Sequence, residues 1–120
     1  MLTFDELKSC EITDVFEYYD FPLVFISKSP SEKYYLNYYI ERLKDGSDKW
    51  LFGEILNTER KRILDGELPL LAILKQLKES KRLQYLTIEL SGETFKAVYE
   101  SVDALNFDEA SFPEDDFYVV

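Results

Sequence analysis

The sequence predicts an α+β domain, a mostly antiparallel sheet of about six strands with two consecutive helices packed on it. Three observations predict it. The stretch from Phe16 to Ile40 is dense in aromatic and β-branched residues, which suit a pleated, half-buried surface better than a helix. Turn-forming residues interrupt the apolar runs, at Lys28-Ser29-Pro30-Ser31-Glu32-Lys33 and at Lys44-Asp45-Gly46-Ser47. The apolar spacing then lengthens to a helical one at Leu56 and shortens again after Arg82.

Taken in order, Thr3-Phe4-Asp5-Glu6-Leu7 supports a single helical turn, with Thr3 as cap and Glu6 answering it three residues on. Alternation from Glu11 to Tyr19 predicts a first strand, although neither of its faces is cleanly apolar. Asp20-Phe21-Pro22 turns the chain. Pro22 has no N–H for a central ladder, so it belongs at the start of the second strand. Leu23-Val24-Phe25-Ile26 is apolar on both sides, which predicts cover on both. The third strand places Tyr34, Leu36, Tyr38 and Ile40 on one face and Tyr35, Asn37, Tyr39 and Glu41 on the other. Asp45-Gly46 offers the positive φ of a hairpin, and Trp50 to Ile55 follow as strand four.

Asn57 or Thr58 is the expected cap of the next helix, with Glu59 suited to its positive first turn and Gly66 to its C′ stop. Pro69 fits the first position of a second helix. Leu70, Leu71, Leu74 and Leu77 repeat there at helical spacing, with Ile73 widening the stripe. Gln84, Leu86, Ile88 and Leu90 line one face of a fifth strand. Ser91-Gly92 turns the chain, and Thr94 to Tyr99 form a sixth. Leu74 and Leu86 are expected in the core. From Ser101 onward no period is visible, and Phe107, Phe112, Phe117 and Tyr118 stand among acids. That stretch is expected to run over the body of the domain, pinned by those rings. The 120 residues read as a single domain, 1–120, with no repeat or linker.

Charge is unevenly spread. The net charge is −10. Residues 1–20 hold six acids and Lys8 alone among bases, and residues 97–120 hold seven acids and no base. If the two ends lie close together, as domain termini often do, they form one anionic face that repels nucleic acid and attracts a basic partner. The single Cys10 cannot form an internal disulfide, and no apolar run reaches the roughly 18 residues of a membrane span. The start Met1-Leu2-Thr3-Phe4-Asp5-Glu6 has neither a basic nor an apolar leader region, so a cytoplasmic location is the expectation.

The sequence contains no histidine, which removes the commonest general acid–base and the commonest zinc ligand. No phosphate-loop, dinucleotide, nucleophile-elbow or zinc-protease motif occurs. Cys10 has no activating neighbour and reads as an inert thiol. Gly46, Gly53, Gly66 and Gly92 each have an ordinary turn, strand or cap reading. Glu17 and Asp20, beside Tyr18 and Tyr19, are the best candidates for a carboxylate pair, and a solvated strand end is their simpler explanation. Asp108, Glu109, Glu114, Asp115 and Asp116 lack the ligand order and turn glycine of a calcium loop. Arg60, Lys61, Arg62, Lys75, Lys78, Lys81 and Arg82 form a basic band on or beside the helices, most simply solvated helix faces. No catalytic residue, metal or cofactor is expected.

At Phe16-Glu17-Tyr18-Tyr19-Asp20-Phe21-Pro22-Leu23-Val24-Phe25 the chain resembles an uncharacterised bacterial family, a domain of unknown function. The likeness continues through Tyr35-Leu36, Trp50, Gly66-Glu67-Leu68-Pro69-Leu70-Leu71-Ala72 and Phe112-Pro113-Glu114-Asp115-Asp116-Phe117. It covers most of the chain at scattered positions and brings no activity with it. It implies a bacterial or phage cytosolic protein.

These readings converge on a non-enzymatic, acidic protein-binding module. A concrete form is an inhibitor or antitoxin-like partner that covers the basic, nucleic-acid-binding face of another protein, by analogy with small acidic proteins of phage and mobile elements. Partner contacts are expected at Asp108, Glu109, Phe112, Glu114, Asp115, Asp116, Phe117 and Tyr118, together with Glu17 and Asp20. Tyrosine is a favoured interface residue, and the chain has nine. Two alternatives are a carboxylate-dependent hydrolase through Glu17 and Asp20 and a nucleic-acid binder through the basic band. The expected partner is a protein with a basic surface, with no direct contact to nucleic acid or membrane, and the oligomeric state is left open.

Overall fold

Six strands pair in sequence order to form one antiparallel sheet, as the α+β reading expects. The computed structural model describes residues 4–19, 21–91 and 94–101. In chain order the elements are α1 (Phe4–Lys8), β1 (Glu11–Tyr19), β2 (Phe21–Lys28), β3 (Tyr34–Arg42), β4 (Asp48–Ile55), α2 (Asn57–Leu64), α3 (Leu70–Glu79), β5 (Leu83–Ser91) and β6 (Thr94–Ser101). The expected Thr3 cap and Ser91-Gly92 turn fall, at Thr3 and Gly92, outside the described residues.

Both hairpin loops of the central strands use one geometry. In Leu43–Ser47 the Gly46 N–H donates to Leu43 O (3.0 Å) and the Leu43 N–H to Ser47 O (2.8 Å). In Ser29–Lys33 the Glu32 N–H donates to Ser29 O (2.9 Å) and the Ser29 N–H to Lys33 O (2.8 Å). The residue before the last takes a left-handed backbone in each, Gly46 at φ 88° and Glu32 at φ 65°. Only Gly46, and not Asp45, supplies positive φ to its hairpin. Asp45 instead uses its carboxylate to accept from the Ser47 N–H (2.9 Å) and hydroxyl, and those bonds hold it below the usual carboxylate range.

The helices also repeat one device. Gly66 N–H donates to Ile63 O and Glu67 N–H to Arg62 O at the end of α2; Lys81 N–H donates to Lys78 O and Arg82 N–H to Leu77 O at the end of α3. Both are Schellman stops. One has Gly66 in the left-handed position (φ 73°), the other has Lys81 there (φ 59°). The N-cap of α2 is Leu56, one residue before the expected Asn57, and its N–H is satisfied by Glu59 Oε1 at 2.8 Å. Pro69 is likewise the cap of α3 rather than its first residue.

Pleat alternation gives the sheet two unlike faces. On the first, Val24, Ile26, Leu36, Leu51, Leu83 and Tyr85 share one hydrophobic cluster with Ile63, Leu68, Leu70, Ile73, Leu74 and Leu77. The buried positions of α3 recur three and four apart, as an amphipathic helix requires. On the second face, Tyr35, Trp50, Phe52 and Leu86 form a separate cluster, against which Leu7 of α1 and Cys10 pack. Leu74 and Leu86 are both buried as expected, on opposite faces of the sheet. We predict that Leu74→Ala and Leu86→Ala each lower stability by about 2–5 kcal/mol, read as a fall in the denaturant midpoint. An unchanged midpoint for either would show that its face is not a packed core.

Candidate functional site

The second face is the candidate site, because it gathers Phe25, Tyr35, Tyr39, Trp50, Phe52 and Tyr99. Strand register sets them in rows. Tyr39, Trp50, Leu86 and Tyr99 lie across β3 to β6, and Val15, Phe25, Asn37, Phe52 and Gln84 across β1 to β5. Trp50 meets Phe25 edge-on at 5.6 Å between ring centroids and Tyr39 at 5.0 Å. Tyr35 stacks on Phe52 at 5.0 Å, and Phe52 lies 6.0 Å from Tyr99. Ile12 and Val15 of β1 border this face and are 51% and 48% exposed. The register shift between Ile12 and Asp14 lets both residues point to the same side as Ser27 and Phe25.

Between α1 and this face lies an apolar cavity of about 230 Å³, lined by Leu7, Cys10, Phe25, Trp50, Leu86 and Ile88 among others. Its polar floor is Asn37 and Ser27, both buried. Asn37 Nδ2 donates to Ser27 Oγ (3.0 Å) and Tyr35 O (3.2 Å), which ties two polar groups together in an apolar setting. The cavity is smaller than typical small-molecule sites of about 300–1,000 Å³.

Proton affinities on this face all move toward the neutral form. Burial, then the charge of Glu6, pushes the Cys10 thiol up, and the thiol donates to Glu6 O at 3.3 Å. A thiol held protonated is a poor nucleophile. Burial pushes Tyr35 up to about 12, helped by Glu54, Cys10 and Glu6. Burial also pushes Tyr99 up to about 12, helped by Cys10, Tyr35 and Glu6, and its buried hydroxyl has no hydrogen-bond partner among the described residues. Tyr35, Trp50 and Phe52 are buried, so the arrangement excludes water from the middle of this face. Among the described residues no cluster of three metal-ligating side chains occurs, and no described helix is long and apolar enough to cross a membrane.

The sequence-predicted partner residues fall almost wholly outside the described residues. Asp20, Asp108, Glu109, Phe112, Glu114, Asp115, Asp116, Phe117 and Tyr118 are outside the described residues, as are Phe107 and the side chain of Glu17. The Glu17 backbone, in β1, pairs with Val24 of β2. Of the seven acids in residues 97–120, only Glu100 lies within the described residues. β1 and β6 are the opposite edges of the sheet, about 24 Å apart at the usual strand spacing.

The basic band is divided. Arg60 pairs with Asp14 of β1 at 3.0 Å and sits 4.8 Å over the Tyr34 ring. Arg62 lies 3.9 Å from Glu67, and Arg82 is 2.8 Å from Glu59. All three arginines of the band are therefore paired within the fold, while Lys61, Lys75 and Lys81 are exposed. Gly53, read from sequence as an ordinary strand glycine, is a close-approach position. A Cβ there would stand 2.9 Å from Arg82 O and 3.1 Å from Leu77 Cδ1. The spacing of Tyr35/Tyr39 and Trp50/Phe52, four and two residues apart, is the sequence signal for the aromatic rows, but their shared face needs the register.

No protein-family model, curated protein or solved structure matches the chain.

The tyrosine shifts predict a titration. Both folded values exceed the unfolded value of about 10, so the associated stability is complete below pH about 10 and falls as pH rises toward about 12. Phenolate absorbance of the folded protein should show a late-ionising group of tyrosines near pH 12. Tyr35→Phe and Tyr99→Phe should each remove one tyrosine from that group. A late group undiminished in both variants would contradict the burial of these hydroxyls.

Proposed function

We propose that this chain is a non-enzymatic protein-binding module whose partner presents a basic surface. The observation that carries the reading is the second sheet face, with its rows of tyrosine, tryptophan and phenylalanine and the half-exposed Ile12 and Val15 at its border. Such rings provide large contact area at low entropic cost. In this reading α2 and α3 are the layer packed on the first face, α1 covers part of the second, and the exposed border at Ile12 and Val15 is the part that meets a partner. Thirteen of the twenty-four acids stand in residues 1–20 and 97–120, and they steer a basic protein toward it. The contact set extends from the face to Glu17, Asp20 and the segment Asp108, Glu109, Phe112, Glu114, Asp115, Asp116, Phe117 and Tyr118. The form we favour is an inhibitor or antitoxin-like protein of a bacterium or phage, cytoplasmic, covering another protein's nucleic-acid-binding surface. Its resemblance to an uncharacterised bacterial family fits that setting.

The test is capture of the partner by pull-down and mass spectrometry, followed by association kinetics. The parental rate should fall steeply as salt rises, because steering is screened. Neutralising Asp108, Glu109, Glu114, Asp115 and Asp116 to Asn or Gln should slow association and flatten the salt dependence. Val15→Glu should instead speed dissociation. A partner that binds both variants with parental rates and salt dependence would overturn the reading.

A further inference from the structure

The two edges of the sheet are built differently. β1 carries three register shifts against β2, and such irregularities blunt an edge against pairing. β6 carries none. Its ladder with β5 runs unbroken from Gln84↔Ser101 to Ser91↔Thr94. The outward side of β6 has no neighbouring strand among the described residues. A regular eight-residue edge is a template for one more strand.

The residues of β6 choose which strand. Lys96, Val98 and Glu100 alternate on one face, Ala97 and Tyr99 on the other. If a second β6 pairs antiparallel with Val98 opposite Val98, Lys96 of each copy faces Glu100 of the other. Ala97 then faces Tyr99, a small residue against a large one. Opposite charges directly across a ladder attract, and like charges repel. Centring the pair on Lys96 or on Glu100 would instead set like charges opposite each other. Both residues are exposed and make no ion pair among the described residues.

We propose that β6 is a self-association edge, through which two copies join their sheets in a two-fold symmetric, twelve-stranded sheet centred on Val98. The symmetry axis stands perpendicular to the sheet, so the second faces of both copies lie on the same side and the Tyr99 row of each continues into Ala97 and Ile88 of the other. With −10 on each copy, long-range repulsion opposes association. The contact pairs survive at salt concentrations that screen that repulsion, with a Debye length of about 8 Å at physiological ionic strength.

Sedimentation of the full chain near physiological ionic strength tests this. The parent should form a concentration-dependent dimer. Lys96→Glu and Glu100→Lys alone each set two like-charge pairs opposite, and each should weaken dimerisation by about tenfold or more. Mixing the two single variants should restore a heterodimer, since every facing pair is then again opposite in sign. The double variant should restore the homodimer. Circular dichroism of each variant confirms that it is folded. A parent that stays monomeric up to about 1 mM overturns the proposal and leaves the edge to a strand of a different protein. Single variants that dimerise like the parent overturn it too, as does failure of the mixture to recover.

Discussion

The guanidinium of Arg82 ties shut the excursion that the chain makes between β4 and β5. Its Nη1 donates to Glu59 Oε1 at 2.8 Å and to Glu54 O at 3.1 Å, its Nη2 to Glu59 Oε2 at 3.2 Å, and its Nε to Ser80 Oγ at 2.8 Å. Glu59 Oε1 also accepts the Leu56 N–H that starts α2. One ion pair therefore joins the end of β4, the start of α2 and the end of α3. Burial alone would raise the Glu59 carboxyl; the bonds from Arg82 and the Leu56 N–H outweigh it and hold the group below the usual range. A two-pronged Arg–carboxylate contact fixes orientation as well as distance, which a lysine at 82 would not do.

The clasp works only because the strand beneath it gives way. Arg82 O and Leu77 Cδ1 come so close to Gly53 that any Cβ there would displace one of them. The same approach brings β5 into register with β4, Gly53 facing Leu83, and so sets the faces of every residue after it. Leu83 and Tyr85 go to the helix side, Leu86 and Ile88 to the aromatic side. A sheet with one face shared with helices and one rich in rings follows from this closure. The binding surface we assign to the second face thus depends on a contact made on the first.

The strands and helices were legible in the sequence because their signals are local. Period-two alternation in β3, the leucine stripe of α3, and the stops at Gly46 and Gly66 each act within a few residues. What was not legible is set by tertiary contact. Glu59 reads as a charge in a first turn, and its second role depends on Arg82, twenty-three residues away. Glu32 and Lys81 occupy left-handed positions that composition assigns to glycine or asparagine, because the surrounding hydrogen bonds enforce them. The register shift between Ile12 and Asp14 turns Ile12 and Val15 to one face, a placement simple alternation gets wrong. The strand order places β1 and β6 at opposite edges of the described sheet, which no local signal announces.

A double-mutant cycle on Glu59 and Arg82 tests the clasp most directly. Glu59→Gln keeps an acceptor for the Leu56 N–H, and Arg82→Met keeps the apolar stem of the side chain while removing its donors. Removing one partner of a substantially buried pair costs about 3 kcal/mol, and we predict a coupling of about 1–3 kcal/mol between the two sites in denaturant unfolding. Additive losses, with a coupling below about 0.5 kcal/mol, would show that the helical excursion is held by its hydrophobic stripe alone and would contradict the account given for Arg82.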